Sequence, residues 1–311
     1  MNDRKYALLA VGELLADFIG TEITENIGTT NIFERFQGGS PANLAYNMSR
    51  LGAKTAVVSC VGNDNLGKFL VSEVSKSGLE TRHIIFSDEV PSSLVLVSRT
   101  TGTPDFIPYR MADRMLYPHH IPDELLSQSA IFHTTCWPLS MQPSQNTVLD
   151  AAARAKKAGC LLSADLNYAE KVWPDRAEAH KVIKQYLSYG AIIKLSEDDA
   201  ERFYGEKVST DRIFEDFHDW GATLVCLTLG SKGSLVSASG GEAPVRTPAK
   251  PLQVVDATGA GDSYWSGFLM AYIDHQNLET CAVAGANMAA IKLCTLGPVK
   301  DAVDKKLLYV K

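Results

Sequence analysis

The sequence predicts an α/β protein: a three-layer, doubly wound, mostly parallel sheet with helices on both faces and a small β lid. Short β-branched runs alternate with longer helical patterns along most of the 311 residues. Such alternation predicts right-handed βαβ crossovers and a parallel sheet. Two segments, 18–37 and 91–112, break the alternation and are rich in Thr, Ile, Val and Phe. We expect them to form the lid over a ligand site, within a single domain spanning residues 1–311.

Six short apolar runs are the predicted strands of the sheet, because they combine β-branched residues with flanking turn signals. They are residues 6–11, 55–61, 130–133, 160–165, 191–195 and 223–228. In the second lid segment, the tripeptide at 101–103 (TGT) lies between two strand-like runs. A glycine in such a short connection predicts a hairpin there.

The predicted helices have recognisable ends. In GGSPANLAYNMSRLG, Ser40 is the expected N-cap, Pro41 takes the first helical position, and Gly52 lies just past the end. Gly78 and Gly159 are expected to close two further helices in the same way, since glycine adopts the left-handed conformation that ends a helix. These signals fix where the connecting loops begin.

Composition excludes several classes of function. The chain has 30 basic and 36 acidic residues, a net charge of −6, and no cluster of Lys or Arg, so we expect neither nucleic acid nor a membrane as its partner. Its six cysteines form no C-x-x-C pair and lie mostly in apolar runs, which indicates free thiols in a reducing compartment. Glu13 and Asp17 interrupt the apolar N-terminal stretch, which argues for a strand rather than a signal peptide. We expect a cytoplasmic protein.

The stretch VVDATGAGDSYWSGF, residues 254–268, predicts an anion site. Residues 254–255 are expected to end a strand, Gly259, Ala260 and Gly261 to form a turn without bulky side chains, and a helix to follow. Ligands of open parallel sheets bind beyond the carboxyl ends of the strands. The first amides of a helix have no partners within it and carry a positive partial charge, so an anion binds there.

Asp262 follows this turn directly, where its charge would repel a bound phosphate. A carboxylate at that place suits the base that orients and deprotonates a hydroxyl nucleophile in phosphoryl transfer. The alternative is an Asp in the first turn that only stabilises the helix dipole. Spacing alone does not choose between the two.

Three further features of the sequence suggest other functions but lack a necessary residue or partner. GAGDSYWSG fails the dinucleotide fingerprint because Tyr264 takes the place of the third glycine, and Tyr264 and Trp265 are expected to pack the helix against the sheet. GNDNLGKF nearly matches a phosphate-binding P-loop, but Phe69 replaces the Ser or Thr that ligates magnesium. The histidines, His133 and the 119–120 pair, lack partners at zinc-like spacing and are expected to be strand and surface residues.

Two of these stretches together resemble the signatures of the ribokinase-type sugar kinases, the PfkB family. DATGAGDSYWSGF resembles the C-terminal signature and GGSPANLAYNMSRLG the N-terminal one, in the family's order, and the resemblance covers nearly the whole chain. It implies a ribokinase-like fold and ATP-dependent phosphorylation of a sugar hydroxyl. ATP and Mg²⁺ are the implied cofactors. Because monovalent cations activate relatives at a site near Asp256, K⁺ is a further expected cofactor.

The resemblance also implies roles for individual residues. Asp262 matches the catalytic base, and the amides of Gly259, Ala260 and Gly261 match the anion hole. The implied sugar-binding residues are Asp17, Gly38, Gly39, Asn43 and, from the lid side, Arg110 and Asp113. The implied nucleotide-binding residues are Ser196, Thr228, Gly230, Gly233 and Asn287.

Two departures from the family pattern bear on the phosphate and the metal. Ser196 and Asp199 stand where many relatives have N-x-x-E, so Asp199 is the implied metal residue, with a reach one methylene shorter that a water molecule could fill. Ala169 stands where relatives often have Arg. If that Arg clamps phosphate in them, Lys171 and Arg110 are the candidates to supply the positive charge here.

A third stretch bears on which molecule accepts the phosphoryl group. IPYRMADRML resembles a stretch of bacterial and plant fructokinases, which implies phosphorylation of fructose to fructose 6-phosphate. The same scaffold serves 2-keto-3-deoxygluconate, ribose and adenosine, and these stay as alternatives, as does a catalytically inactive sugar-binding sensor. A nicotinamide-dependent oxidoreductase is the alternative from another class. Because a β lid has exposed strand edges that a second subunit could cover, a homodimer through the lid is also expected.

Overall fold

The computed structural model describes residues 4–99, 105–295 and 297–310. The hairpin predicted at 101–103 lies outside these residues. The strands described are β1 (Tyr6–Val11), β2 (Leu15–Ile23), β3 (Phe33–Gly38), β4 (Thr55–Gly62), β5 (Ile84–Ser87), β6 (Leu94–Arg99), β7 (Phe106–Tyr109), β8 (Ser129–Thr135), β9 (Leu161–Asp165), β10 (Ile192–Ser196), β11 (Leu224–Thr228), β12 (Ser234–Ala238) and β13 (Val245–Thr247). The α-helices described are α1 (Ser40–Arg50), α2 (Asn65–Ser75), α3 (Asp123–Ser127), α4 (Cys136–Leu139), α5 (Ser144–Lys157), α6 (Arg176–Leu187), α7 (Glu197–Tyr204), α8 (Thr210–Asp219), α9 (Ala260–Ile273) and α10 (Leu278–Leu293).

The larger sheet has the strand order β13-β12-β11-β10-β9-β8-β1-β4-β5. Its strands from β11 to β5 pair in parallel, whereas β12 and β13 add an antiparallel edge. The carboxyl ends of β1, β8, β9, β10 and β11 therefore meet at one edge of the sheet, where polar side chains can face a common ligand. The six predicted strands all exist, with bounds that differ by at most a residue or two.

Helices cover both faces of this sheet, which explains why central strands such as β4 and β8 are buried along their whole length. Along β1, Leu9 and Val11 join a core with residues of α5, α6 and α8, whereas Leu8 and Ala10 join a core with residues of α1, α9 and α10. The predicted three-layer, doubly wound architecture is confirmed.

The predicted lid segments form a second, four-stranded sheet with the order β3-β2-β6-β7. Its strands pair antiparallel at β2–β3 and β6–β7 and in parallel at β2–β6. β2 follows β1 after only three residues, so the lid sheet begins at the carboxyl edge of the larger sheet. The small β lid is thereby confirmed as part of the fold.

Two local predictions were wrong. Residues 254–255 end no strand: they lie in the loop between β13 and α9, with Val254 55 % and Val255 47 % exposed, and the Val255 amide donates to the carbonyl of Leu293 at the end of α10. Helix α1 begins at Ser40, and its N-cap is Gly39, with φ 102°. Ser40 cannot cap because its hydroxyl donates to a carboxylate 222 residues away. The left-handed conformations at the predicted helix ends, by contrast, are confirmed.

Helices α9 and α10 pack against each other closely enough to require glycine. A Cβ on Gly267 would lie 2.4 Å from the carbonyl oxygen of Ala284 and 2.8 Å from the Cβ of Met288. Toward the larger sheet, Trp265 and Tyr264 are buried as predicted, and they donate hydrogen bonds to Ser163 of β9 and Ser234 of β12. The α9 N-terminus is thus held in place from two sides.

This contact gives a prediction with a definite sign. Alanine has the higher helix propensity, so Gly267→Ala would stabilise an isolated helix by up to about 1 kcal/mol. Because the added methyl overlaps α10, we expect the free energy of unfolding to fall instead, by about 1–3 kcal/mol. Chemical denaturation measures this, with Ser72→Ala on the exposed face of α2 as the control. A gain in stability for Gly267→Ala would contradict the close packing.

Candidate active site

The N-terminus of α9 has the backbone geometry of an anion site. Gly259 precedes the helix in the left-handed conformation, with φ 74°. The amide of Ala260 donates to the carbonyl of Ala257 at 3.2 Å, whereas within the described residues the amides of Gly259 and Gly261 donate no hydrogen bond. Two of the three predicted amides are therefore available to an anion at the positive end of the helix.

Asp262 connects the two signature stretches. Its Oδ1 accepts a 2.6 Å hydrogen bond from the Ser40 hydroxyl, and its Oδ2 accepts one of 2.9 Å from Nδ2 of Asn43. Asn43 is itself oriented, because its Oδ1 accepts from Nε2 of Gln37 at 2.8 Å. The carboxylate, only 9 % exposed, is thus fixed at both oxygens by side chains from the N-terminal end of α1.

A cleft lies between the lid and the α9 N-terminus, lined by Asp17, Asn43 and Gly259 among others. Burial, and after it the charges of Asp262 and Asp256, raise the pKa of Asp17 to about 7. Gly38 is necessary beside it, since a Cβ there would lie 2.1 Å from Oδ2 of Asp17. The structure therefore brings together Asp17, Gly38, Asn43 and Asp262, while their roles toward a sugar stay predictions.

Glu13 is a buried acid of this region to which the sequence analysis assigned no role. Only 2 % exposed, it accepts hydrogen bonds from the Ser40 amide at 3.1 Å and from the Thr135 hydroxyl at 3.1 Å. Its backbone also explains Gly39, because a Cβ on Gly39 would lie 2.3 Å from the Glu13 carbonyl oxygen. Burial raises the pKa of Glu13 to about 8, although Arg110 opposes this shift. The feature of the sequence that could have pointed to Glu13 is an acidic residue within an apolar run.

A buried ion pair lies directly beneath the anion site. Nζ of Lys194 and Oδ2 of Asp165 are 2.7 Å apart, and both side chains are at most 5 % exposed. A Cβ on Gly261 would lie 2.7 Å from that Nζ, so glycine is required for the ammonium to approach the turn. Burial raises the pKa of Asp165 to about 7; Lys194 opposes the shift, while Asp199 and Asp262 add to it. A positive charge therefore supports the anion site from below.

Ser196 and Asp199 form a capping box at the start of α7. Oδ2 of Asp199 accepts from the Ser196 amide at 2.9 Å and from its hydroxyl at 2.6 Å, and Oδ1 accepts from Arg202 at 2.8 Å. Ser196 pairs in register with Thr228 on the neighbouring strand β11. The two strand ends therefore lie side by side, as a shared nucleotide site requires, while the role of Asp199 toward a metal stays a prediction.

The predicted nucleotide turn follows β11. Gly230 and Gly233 are left-handed, with φ 56° and 95°, and a Cβ on Gly233 would lie 2.0 Å from the Thr247 carbonyl oxygen. Asn287 is 4 % exposed on α10 and donates to the carbonyls of Leu308 and Val310. Asn287 thus holds the C-terminal segment, and its expected place beside adenine stays a prediction.

Arg110 and Asp113, the two residues predicted to bind the sugar from the lid side, bond to each other and to neighbouring loops. Asp113 has no exposed surface, and its carboxylate accepts from the Ser93 hydroxyl, the Met111 amide and Nε of Arg110. The Arg110 guanidinium also donates to the Ser140 hydroxyl and the Trp137 carbonyl, and its side chain is 7 % exposed. The structure therefore gives Asp113 no surface for a sugar, because both residues are used to hold the loop after β7.

Lys171, the other candidate to supply the positive charge that Ala169 lacks, is bonded to the lid. Nζ of Lys171 lies 2.6 Å from Oδ1 of Asp105 and 3.0 Å from the Phe106 carbonyl oxygen. Ala169 packs with the small apolar cluster between lid and sheet. Lys171 therefore connects the loop after β9 to β7 of the lid, rather than pointing an unpaired charge into the site.

Over residues 4–99, 105–295 and 297–310, no three His, Cys, Asp or Glu side chains are grouped so that they could hold a metal ion. His133 lies buried in β8, where Nδ1 is 2.9 Å from the Ser163 hydroxyl, and His119 is exposed, as the sequence predicted.

Within the same ranges, no helix has the length and apolar character needed to span a membrane.

The buried Glu13 gives a prediction for stability against pH. Its pKa is about 8 in the folded chain against an ordinary 4.5, so unfolding releases a proton between these values. The free energy of unfolding should therefore fall as pH rises through this range, by at most about 1.4 kcal/mol per pH unit. Glu13→Gln does not titrate, so its stability relative to the wild type should rise from pH 4.5 to 8.

Urea denaturation at a series of pH values measures this difference, with Glu215→Gln on exposed α8 as the control. A difference between Glu13→Gln and the wild type that stays constant from pH 4.5 to 8 would show that Glu13 is ionised in the folded protein.

Comparison with known proteins places this geometry in a family. A model of the pfkB family carbohydrate kinases matches residues 6–305. The chain is 37% identical over 306 residues to an ATP-dependent 6-phosphofructokinase of Thermoanaerobacterium thermosaccharolyticum, covering 97% of this chain and 92% of that protein. It is 32% identical over 279 residues to the probable fructokinase-2 of Arabidopsis thaliana, covering 89% and 84%.

A solved structure agrees with these matches. The fructokinase of Halothermothrix orenii is similar with a TM-score of 0.79 and 30% identity, over 94% of this chain and 99% of that one. The nicotinamide-dependent alternative is thereby replaced by phosphoryl transfer. The chain belongs to the PfkB family of carbohydrate kinases and is an ATP-dependent sugar kinase.

Proposed function

We propose that the protein transfers the γ-phosphoryl group of ATP to the 6-hydroxyl of fructose, giving fructose 6-phosphate. The observation that carries this proposal is the position of Asp262, which Ser40 and Asn43 fix at the start of α9, directly beside Asn43 and Gly259 of the cleft lining. A base there faces both a hydroxyl held by the lid and a phosphoryl group held by the helix. The plant and bacterial fructokinases among its relatives support fructose as the acceptor.

Asp262 orients the attacking hydroxyl and accepts its proton as the bond to phosphorus forms. Ser40 and Asn43 keep the carboxylate in one orientation, so little reorganisation is needed at the moment of reaction. The free amides of Gly259 and Gly261 and the positive end of α9 stabilise charge on the transferred group. Lys194 supplies further positive charge from beneath Gly261.

The residues at the carboxyl edge of the sheet fit Mg²⁺ carried by the nucleotide. In the described part of the chain, the buried Oδ1 of Asp165 accepts no hydrogen bond, and Asp199 is near enough to raise the pKa of Asp165. Mg²⁺ keeps several waters and takes few protein carboxylates when phosphates bind it too. Asp165, with its Oδ1, and Asp199 would hold the metal directly or through water. Mg²⁺ would neutralise phosphate charge.

The nucleotide site we propose follows β10 and β11. Ser196 and Thr228 end neighbouring strands, and the left-handed glycines at 230 and 233 shape a turn without side chains beside them. Asn287 keeps one buried oxygen, Oδ1, for which no partner lies among the described residues. That oxygen is what supports its expected place near the base.

The lid closes the sugar site and excludes the water that would otherwise accept the phosphoryl group. Asp17, on the lid strand β2, faces the cleft. We propose that its carboxylate accepts hydrogen bonds from the sugar hydroxyls. Strands β3 and β7 form the edges of the lid sheet, and a homodimer that covers them stays a prediction.

Fructose 6-phosphate is the second candidate acceptor. The relative that supports it is the 6-phosphofructokinase, which shares 37% identity over almost the whole chain. A phosphorylated acceptor requires a free cation for its phosphate. Arg110 and Lys171 are each paired with a carboxylate, Asp113 and Asp105, which favours the neutral sugar.

The acceptor can be identified by ADP release with MgATP. We expect fructose to support turnover with a kcat/KM at least 10-fold above that of fructose 6-phosphate, 2-keto-3-deoxygluconate, ribose or adenosine, because one unmatched polar contact in a closed site has a large effect. A preference for fructose 6-phosphate would replace the proposed acceptor. If no acceptor supports ADP release by protein that binds ATP, the catalytically inactive sugar-binding sensor would be favoured.

Asp262→Asn tests the base. We expect kcat to fall about 100-fold or more with little change in sugar or ATP affinity, because the amide keeps the shape but cannot accept the proton. Asp274→Asn, at the other end of the same helix and paired with Lys305, is the matched control and should keep its turnover. Turnover near normal in Asp262→Asn would refute the assigned role.

A further inference from the structure

Lys292, in the last turn of α10, places its ammonium inside a set of oxygens next to the active site. Its Nζ lies 2.9 Å from Oδ2 of Asp256, 3.3 Å from the Asp256 carbonyl oxygen and 3.2 Å from the Thr295 carbonyl oxygen. The Lys292 side chain is 5 % exposed and that of Asp256 is 12 % exposed. A lysine ammonium has three donors, and each of them has a partner here.

These partners are the kind of ligand that a free alkali cation takes. Carbonyl oxygens, in place of water, are what proteins offer to K⁺, and a carboxylate adds the balancing charge. The lysine ammonium is a compact single positive charge. A second cation at the same oxygens would meet the repulsion of Lys292 and would find the Asp256 charge already balanced. The residues present therefore do not fit the K⁺ expected near Asp256.

The same contacts hold the loop that leads into the anion site. The carboxylate of Asp256 also accepts from the amides of Thr258 at 2.9 Å and Gly297 at 3.1 Å. Cε of Lys292 lies 3.9 Å from where a Cβ on Gly259 would be. The ammonium thus connects the end of α10 to the residues directly before α9, whose amides bind the anion.

We propose that the ammonium of Lys292 replaces a free monovalent cation in this protein, so that the loop at 256–259 is ordered without K⁺. The kinetic part of this inference rests on the proposed kinase activity, whereas the structural part does not. Lys292 is then a positioning residue: it acts on phosphoryl transfer through Asp256 and the amides that follow.

The first test uses the wild-type protein in choline chloride or KCl at equal ionic strength. We expect the same Tm and the same sugar-dependent ADP release in both salts. A saturable rise in Tm or in turnover with KCl would overturn the proposal, because it would show a free ion at work. The Tm comparison needs no substrate, so it holds even if the proposed acceptor is wrong.

The second test removes the ammonium. Lys292→Ala leaves the oxygens and opens space beside them, so we expect a Tm lower by about 5 °C or more in choline chloride. KCl should recover at least half of that loss, and turnover should recover with it. Lys292→Met fills the space without a charge, so it should lose Tm and gain nothing from KCl. Lys305→Met, which breaks the pair with Asp274 away from the site, should show no response to KCl.

The following results would contradict the proposed role of Lys292. A Tm and turnover of Lys292→Ala equal to the wild type in choline chloride would show that the ammonium does not order the loop. A loss that KCl does not restore, or an equal response of Lys292→Met to KCl, would show that the ammonium does not stand in for a cation. If neither variant folds, the wild-type comparison alone still tests the proposal.

Discussion

The active site depends on one contact between distant parts of the chain, in which the N-terminal end of α1 donates two hydrogen bonds to Asp262 at the start of α9. Ser40 and Asn43 lie more than 200 residues from that carboxylate in sequence. Both helices pack on the same face of the sheet, and their N-termini meet at its carboxyl edge. The proposed base, the proposed anion site and the residues predicted to face the sugar are therefore parts of one junction. A shift of either helix would move all three.

The junction concentrates negative charge, and three of its carboxylates are paired with a cation. Asp165 has Lys194, Asp256 has Lys292 and Asp113 has Arg110, and all three pairs are largely buried. Buried pairs add little net stability, because removing two charges from water offsets their attraction. Breaking one leaves an unpaired charge at a high cost, so these pairs fix geometry. Among the described residues, Glu13 and Asp17 form no ion pair, and burial raises the pKa of both.

The sequence predicted the parts that local patterns determine. Alternating strands and helices gave the parallel sheet, and glycines past helix ends gave the loop positions, because both follow from neighbouring residues. Ser40 resembled an N-cap, and only the fold reveals that its hydroxyl is taken by Asp262. Residues 254–255 looked like a strand, yet the end of α10 takes the amide of Val255. Lys292 carried no signal, because two of its three oxygens come from Asp256, 36 residues away.

In the proposed reaction, the lid presents to the sugar a carboxylate that cannot easily stay charged. Asp17 comes to the cleft on β2, facing Asp262 and Asp256, and their repulsion together with burial keeps its pKa near 7. A sugar provides hydroxyl donors, which stabilise the charged form of a carboxylate that accepts them. Sugar binding and ionisation of Asp17 therefore favour each other. The hydroxyl that reaches Asp262 arrives with others that relieve the repulsion between the two acids. Because water in an open cleft is not held in this arrangement, a bound sugar is the nucleophile that the closed site favours.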